Sequence, residues 1–380
     1  MKYWTIVAPL FALMGVAPSL AADLSEPLQR VKAIKKDGQG HAEAIVAMRV
    51  LEKAEAVDLP VLLSAMDDAN PLALNWLRGA FEAVASKPGA ILPQDALMKF
   101  FEDESHLPQA RRLAYDTLKT LDSGLEERVI PTLLNDPSAE LRRDAVAYTM
   151  QQAEKLAAAG QKELALEKYG AALTGAVDED QLKELAEVLK GFDQKVNLVE
   201  HYGFVTTWRV IGPFDNKDKK GFDVVNPPEK VIAFDQEYEG MADTDGKPFQ
   251  TKWVALTSED EMGVFDINKL FAKHKGATAY LASEFEAAAA QSVEFRFGTS
   301  NAWKLWVNGE LLFSREEYHR GMFLDQYSVR GQLKPGKNTI LMKVLQNEQE
   351  ESWAQDWSIQ FRVCDYSGRA VKPARPVAGQ

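Results

Sequence analysis

The pattern of apolar and polar positions along this chain changes once, close to residue 200. Before that point apolar residues recur at helical spacing; in the segment ARRLAYDTLKTL, for example, Leu113, Ala114, Leu118 and Leu121 fall on one face. After it the period falls to two, and Gly, Pro and Asn separate short alternating segments. The pattern therefore predicts a multidomain α + β protein, with an all-helical part followed by an all-strand part.

The helical part, residues 24–200, contains a unit made of a helix, an Asn-Asp-Pro turn and a second helix that begins near two arginines. At the clearest turn, residues 136–138, proline breaks one helix and serine caps the next. This unit resembles a HEAT repeat, residues 58–85 resemble an earlier copy, and residues 151–190 are closer to a tetratricopeptide unit. Stacked helix pairs bury a continuous core and offer an extended surface, so we expect this array to bind a protein partner.

The strand part carries a hairpin signal in the segment NAWKLWVNGELLF, because Asn308 and Gly309 both tolerate positive φ angles. A Pro-Gly turn follows at residues 335–336, and the segment WRVIGPFDN opens the region at residues 208–216. In this order the segments resemble the jelly-roll, galactose-binding-like domain that accompanies many glycoside hydrolases. The resemblance covers residues 205–365. It implies an antiparallel β-sandwich that binds a carbohydrate rather than a catalytic domain, and it names no particular sugar.

Two long polar loops, residues 314–327 and 347–357, flank the predicted strand 339–346 and are expected to meet at one end of the sandwich. Their amide, guanidinium and aromatic side chains together suit a ligand that is rich in hydroxyl groups. We therefore predict carbohydrate contacts from these loops and from the central hairpin. The candidate residues are Trp306, Arg315, Tyr318, Arg320, Asn347, Gln349 and Trp353.

These assignments have structural alternatives. Trp306 lies on the opposite strand face from Leu305 and Val307, so it either stacks on a sugar or packs beneath the helices or a covering loop. The loop charges either contact the ligand or form a salt-bridged rim in which Glu316 and Glu317 pair with neighbouring arginines. Exposure of the tryptophans separates a stacking platform from a buried interface.

Catalysis is a further interpretation, since the same loops carry carboxylates such as Glu317 and Glu351. A glycosidase holds two carboxyl groups roughly 5–9.5 Å apart, and the sequence gives no separation. Domains of the resembling class are usually non-catalytic, so no catalytic residue is assigned. The five histidines show no metal spacing, and the sequence lacks the nucleophile-elbow, P-loop and dinucleotide-binding motifs. No cofactor is predicted.

One segment invites a structural metal. In DNKDKKGFD, the residues Asp215, Asn216, Asp218 and Asp223 supply oxygen atoms of the kind that calcium prefers. Their order does not fit an EF-hand, and no bidentate glutamate follows at the required position. The segment is therefore expected to be a solvated turn, and a structural calcium stays an open alternative.

The N-terminal 21 residues have the features of a secretory signal, with Lys2, an apolar run at 6–16 and the small residues Ser19 and Ala21. That run is too short to cross a membrane, which takes about 20 residues, and no later segment is suitable. The formal net charge of −12, without a basic cluster, argues against nucleic-acid binding. A periplasmic or secreted protein is expected, with a flexible tail at residues 366–380.

The leading hypothesis is a non-catalytic adaptor in which the β-sandwich holds a carbohydrate and the helical array holds a protein. A structural assembly scaffold without a small ligand and a polysaccharide-active enzyme are the alternatives. Cys364 is the only cysteine, so no intrachain disulfide is available. Its place at the end of an alternating strand predicts a half-buried thiol.

Overall fold

A computed structural model describes residues 23–243, 245–271 and 274–374 of the chain. The predicted signal segment, residues 1–21, and the end of the predicted tail lie outside the described residues. The chain divides into two compact units between Val129 and Ile130. Within the part that the structure describes, no helix combines the length and the apolar character that a membrane span requires.

The first unit is built from helices, and local sequence signals set where they begin. The side-chain oxygen of Asn70 accepts hydrogen bonds from the amides of Leu72 (3.0 Å) and Ala73 (3.1 Å). Pro71 occupies the first turn, where its missing amide hydrogen costs nothing. The described α-helices of this unit are α1 (Ser25–Lys32), α2 (His41–Leu51), α3 (Leu59–Ser64), α4 (Pro71–Ala85), α5 (Gln94–Glu102), α6 (Pro108–Leu121) and α7 (Leu125–Val129).

The second unit also begins with helices, and the first of them starts at the predicted turn. Asp136 accepts the amide of Ser138 through Oδ1 (2.7 Å), and the Ser138 hydroxyl accepts the amide of Leu141 (3.4 Å). These contacts cap the longest helix of the described chain. The helices are α8 (Ala139–Ala158), α9 (Lys162–Gly175), α10 (Glu179–Gly191) and α11 (Leu198–Tyr202).

Helices α8 to α11 belong to the same compact unit as the strands. Their hydrophobic core, which includes Leu185 of α10, continues through Tyr202 and Phe204 to Met262 and Leu324 in the strand region. The change of sequence period near residue 200 therefore marks a change of secondary structure, while the division between compact units falls after residue 129. The order of helices first and strands second is confirmed; the HEAT or tetratricopeptide class of the helices stays a prediction.

The strands pair antiparallel in two larger sheets and one small one. The described strands are β1 (Thr207–Asp215), β2 (Glu237–Ala242), β3 (Pro248–Lys252), β4 (Val254–Thr257), β5 (Val264–Asp266), β6 (Ala277–Ala287), β7 (Gln291–Gly298), β8 (Ala302–Val307), β9 (Glu310–Arg315), β10 (Tyr327–Leu333), β11 (Gly336–Gln346) and β12 (Ser358–Cys364). The larger sheets have the orders β4-β1-β6-β11-β8-β9 and β10-β7-β12-β5, and β2 pairs with β3. Two short helices, α12 (Pro227–Lys230) and α13 (Asn268–Phe271), lie between strands.

The two larger sheets share one hydrophobic core. Trp208, Leu281 and Met342 enter it from the six-stranded sheet, and Phe295 and Phe361 enter it from the four-stranded sheet. Every one of these side chains is buried, as alternation along antiparallel strands requires when one face meets a second sheet. The antiparallel, sandwich-like arrangement agrees with the sequence pattern, and the finer jelly-roll assignment stays a prediction.

The predicted hairpin joins β8 to β9. Asn308 and Gly309 have φ angles of +53° and +84°, the left-handed pair that a two-residue hairpin turn needs. The Asn308 side chain then fixes the turn to β11, because its oxygen accepts the amide of Thr339 (3.1 Å) and its amide group donates to Asn338 (2.9 Å). The local Asn-Gly signal thus positions the central strands of the sheet.

Residues 216–243 and 245–253 cover the outer face of the six-stranded sheet, where Ile232, Phe234 and Trp253 pack against it; we call them the covering segment. Beneath it the Lys343 side chain is fully buried, and Nζ donates to Glu229 Oε1 (2.9 Å) and to the carbonyl oxygen of Val224 (2.7 Å). The Tyr280 hydroxyl donates to the same carboxylate. The outer face of this sheet is therefore closed to solvent around a buried ion pair.

Candidate functional site

Several strands of the six-stranded sheet end at one edge, which we call the loop end. Antiparallel register places Asp215, at the end of β1, beside Ala277 at the start of β6, and Ala277 beside Gln346 at the end of β11. The start of β8 and the end of β9 continue the row. The loops that leave this edge are residues 216–223, 274–276, 299–301, 316–326 and 347–357.

The two loops predicted to bind a carbohydrate come together here. His319 Nε2 lies 2.8 Å from Asn347 Oδ1, and the Asn347 amide group donates to Gln349 Oε1 at 2.9 Å. The ring of His319 meets the ring of Trp353 edge-on, with the centroids 5.0 Å apart. Trp353 is 58% exposed. The loop end therefore presents an aromatic ring beside a chain of hydrogen-bonding groups.

Backbone geometry holds His319 in this position. The residue has a φ angle of +59°, a backbone conformation that residues other than glycine rarely adopt. Its amide donates to the carbonyl oxygen of Ser300 (2.6 Å), so the loop after β9 is tied to the loop before β8. Strained backbone of this kind persists only where surrounding contacts determine it, and it is frequent at binding sites.

Asn216 forms the floor beneath Tyr318. Its amide group donates to the Tyr318 hydroxyl (3.3 Å) and to the carbonyl oxygen of Gln346 (2.9 Å), while its own Oδ1 is buried without a partner. Lys219 lies with Nζ 5.3 Å from the centroid of the Tyr318 ring. Burial raises the pKa of the Tyr318 hydroxyl, so the group stays neutral and can donate or accept a hydrogen bond.

Arg315 and Arg320 lie on the rim rather than in the centre. Glu317 accepts a hydrogen bond from Arg315 at 3.0 Å and has its Oε2 3.5 Å from Arg320 Nε. This trio forms a salt-bridged rim, the structural alternative for these charges. Hydrogen bonding from Arg315, together with both positive charges, holds the pKa of Glu317 below its usual value. A general acid needs the opposite shift.

Trp306 does not join this group. It is 9% exposed and packs beneath the covering segment with Trp253, Tyr280 and Leu341. Alternation places it on the outer face, away from Leu305, and the covering segment then buries it. Trp306 is therefore packed beneath the covering segment and does not stack on a ligand. Among the described residues, Trp353 is the exposed tryptophan.

The three carboxylates of the candidate calcium segment contact separate partners. Asp215 Oδ1 accepts the amide of Lys217 (2.9 Å), Asp218 pairs with Lys220 (3.0 Å), and Asp223 lies 3.4 Å from the ammonium group of Lys304. Across the described residues, no three His, Cys, Asp or Glu side chains are grouped as a metal site would require.

The sequence pattern did not single out His319 and Asn216 as site residues. Asn216 was a calcium candidate only, and His319 was one of several side chains in the loop 314–327 that can hydrogen-bond a sugar, outside the seven predicted contact residues. The only local signal was the presence of a planar polar side chain just beyond a strand, because the contacts with Asn347 and Tyr318 depend on strand register. The sequence pattern predicted that the two loops meet, and the folded chain was needed to show which side chains contact one another there.

No family model and no curated protein matches this chain. Among solved structures, a GH31 alpha-xylosidase from Xanthomonas citri is similar at 14% identity and a TM-score of 0.19, over 34% of this chain. The match spans only 18% of the xylosidase. A likeness at this level carries no argument about fold or function.

Proposed function

We propose that this chain is a non-catalytic, extracytoplasmic adaptor whose loop end binds a carbohydrate. The observation that carries the proposal is the exposed Trp353 ring, fixed edge-on to His319, whose Nε2 is hydrogen-bonded to Asn347. Large aromatic side chains gain most by burial, so one left open beside buried polar groups calls for a binding partner.

A sugar suits this surface because it has two kinds of face. Its C–H face stacks on an aromatic ring, which Trp353 offers in the open. Its hydroxyl groups both donate and accept hydrogen bonds, which the planar amide of Gln349, the imidazole of His319 and the Tyr318 hydroxyl can exchange. Arg315 and Arg320, both paired with Glu317, add exposed guanidinium groups on the loop that carries His319.

The polar atoms buried near this edge add to the argument. Ser300 Oγ and Asn301 Nδ2 in the loop before β8, like Asn216 Oδ1, are buried without a hydrogen-bond partner. Buried polar atoms of folded proteins are nearly always paired, and exceptions commonly mark a place where water or a bound group completes the bonding. The loop end therefore has hydrogen-bonding atoms that water or a bound ligand could pair with.

The experiment is a glycan-array screen of the whole chain, with and without calcium, followed by calorimetry on any ligand found. Trp353→Ala is expected to weaken binding at least tenfold, or about 1.4 kcal/mol, since it removes the stacking ring. Tyr366→Ala is the matched control, because Tyr366 is a similarly exposed aromatic residue beyond the far end of β12. Full binding by Trp353→Ala would place the site elsewhere, and a clean negative from folded protein would favour the scaffold.

The first unit supports the protein-binding half of the proposal. Its α2 exposes Ile45, Val46 and Val50, and Val57 and Val61 are exposed around the start of α3. Several apolar side chains exposed on one protein surface are typical of a protein–protein interaction site. A partner that is cross-linked to the wild-type chain and to Tyr366→Ala, but not to Val46→Glu, would support this assignment; equal capture by all three would contradict it.

A further inference from the structure

The second unit contains a cavity away from the loop end. It has a volume of about 220 Å³, is partly open to solvent, and is lined by residues of α9, α11 and β12 and of the segment that follows β12. A water molecule occupies about 30 Å³ in the liquid, so the space admits a group of several heavy atoms. The part of the lining that the argument uses is His201, Tyr202, Arg362, Arg369 and Lys372.

The lining is positively charged. Arg362, Arg369 and Lys372 contribute cations, and none of the residues that line the cavity is an aspartate or a glutamate. Arg362 is 1% exposed and is paired with Asp325, while Lys372 Nζ lies 3.3 Å from Glu200. The guanidinium group of Arg369, by contrast, donates to the neutral oxygen atoms of Leu134 and Asn135, so its charge is the one that an anion in the cavity would balance. The electrostatic environment of the cavity therefore favours an anion.

Two hydrogen-bond donors of the lining are buried and unused. Tyr202 is 2% exposed, and its hydroxyl has no partner. Arg369 donates through Nη2 to the carbonyl oxygen of Leu134 (2.8 Å) and to Asn135 Oδ1 (2.7 Å), but its buried Nε has no partner. Buried donors without acceptors are rare in folded proteins and need an explanation. An acceptor inside the cavity supplies one.

The walls of the cavity are well fixed. Arg362 donates through Nη1 to the carbonyl oxygen of Gly368 (2.9 Å), and the amide of Val371 donates to Val363 (2.9 Å). Gly368 has a φ angle of +84°, and a Cβ atom there would lie 2.7 Å from Arg296 Nη1. Glycine therefore allows the chain to close over the arginines, and residues 366–374, assigned to the predicted tail, pack as part of the unit.

We propose that this cavity binds a small oxyanionic group, with the Tyr202 hydroxyl and Arg369 Nε donating hydrogen bonds and Arg362 and Lys372 supplying charge. Carboxylate, phosphate and sulfate share the required chemistry: negative charge and several acceptor oxygens. The source is either a free inorganic anion or a charged substituent on a sugar, and the experiment below distinguishes them.

The experiment measures thermal unfolding and calorimetric binding of the whole chain at pH 7 with inorganic phosphate, inorganic sulfate or glucuronate. Sodium chloride at equal ionic strength is the reference, because it screens charge without offering acceptor oxygens. At least one oxyanion is expected to raise Tm saturably above the chloride value. Binding of phosphate or sulfate alone indicates an inorganic or esterified anion, and binding of glucuronate alone indicates a carboxylated sugar.

Tyr202→Phe is the decisive variant, since it deletes one oxygen atom and nothing else. It is expected to lower oxyanion affinity at least fivefold while Tm in chloride does not fall, because the hydroxyl has no partner to lose. Lys372→Gln is expected to weaken binding too, whereas Lys252→Gln, which removes an exposed cation on β3, is the control. Failure of all three anions to exceed chloride, or unchanged affinity in Tyr202→Phe, would overturn the proposal. Unchanged oxyanion affinity in Trp353→Ala separates this site from the loop end.

Discussion

Removal of the Glu229 carboxylate is expected to destabilise the second unit strongly. The Lys343 side chain is 0% exposed and that of Glu229 is 9% exposed, so neither charge is solvated. Glu229→Gln keeps the size of the side chain but removes its charge, which leaves the ammonium group with neutral acceptors only, among them the carbonyl oxygens of Phe222 and Val224. Breaking a buried pair in this way costs about 3–5 kcal/mol, a large share of the roughly 5–15 kcal/mol that stabilises a typical domain.

The double variant Glu229→Gln with Lys343→Met isolates the electrostatic part of this loss. With both charges gone, what remains is the lost donor to the two backbone carbonyl groups, at about 1–3 kcal/mol. The double variant should therefore be more stable than Glu229→Gln alone. Burial lowers the pKa of Lys343 against the opposing influence of Glu229, which agrees with an ammonium group that depends on its one carboxylate.

Cys364 provides the assay. It is the only cysteine of the chain, it is fully buried at the end of β12, and burial raises the pKa of its thiol to about 12. Pulsed thiol labelling along a urea gradient therefore reports the unfolding of the second unit without interference from the first. The exposed carboxylate of Glu237, 3.9 Å from Lys252 Nζ, supplies the control: Glu237→Gln should change the free energy of unfolding by less than about 0.5 kcal/mol.

Two results would refute the reasoning. A loss below about 1 kcal/mol in Glu229→Gln would mean that the ammonium group is solvated or finds another partner, because a desolvated, unpaired charge costs more than that. A double variant less stable than both single variants would mean that the pair contributes by packing and hydrogen bonding rather than by mutual neutralisation.

Two further predictions concern charge and exposure. Burial opposes ionisation of Asp325, but hydrogen bonds and charges from Arg362 and Arg296 outweigh it and hold its pKa below 3.8. Its contribution to stability is thus complete above about pH 4 and is lost as pH falls through the lowered pKa; urea unfolding of Asp325→Asn should lack that acid dependence. Trp353→Phe should remove most of the acrylamide-quenchable tryptophan fluorescence, since the other described tryptophans are buried or half-buried; unchanged quenching would contradict the exposed ring.

Features that depend on near neighbours could be predicted from the sequence. The Asn308-Gly309 turn and the helix starts at Asn70 and Ser138 each follow from the conformational preference of one or two residues. Strand alternation placed Trp306 and Leu305 on opposite faces correctly, because the side-chain period of a strand is fixed by its geometry. These signals were enough for the α + β order and the antiparallel pairing.

What covers a face could not be predicted in the same way. The covering segment consists of short elements, among them α12, β2 and β3, so its sequence showed no sustained period, yet it decides that Trp306 is buried. A signal was present in the strand LMKVL, where Lys343 interrupts an apolar run. A lysine in that position needs a carboxylate brought from elsewhere in the chain, and Glu229, more than a hundred residues earlier, supplies it.

The boundary between the two compact units, after Val129, could not be predicted from the sequence for a related reason. Helices α8 to α11 have the same period as those before Val129, and only their long-range packing against Phe204, Met262 and Leu324 assigns them to the strands. Periodicity reports which face of a helix is buried, and it says nothing about which element buries it.

The two proposed sites occupy opposite ends of one strand, which makes them separable. Trp353 lies in the loop before β12, and the oxyanion cavity is closed by the residues after it. A strand of this length spans roughly 20 Å, and residues more than about 7–10 Å apart without shared partners act additively. Trp353→Ala should therefore leave oxyanion affinity intact, and Tyr202→Phe should leave carbohydrate affinity intact. Loss of both activities in either variant would show that one ligand spans the strand, or that one of the variants disturbs the fold.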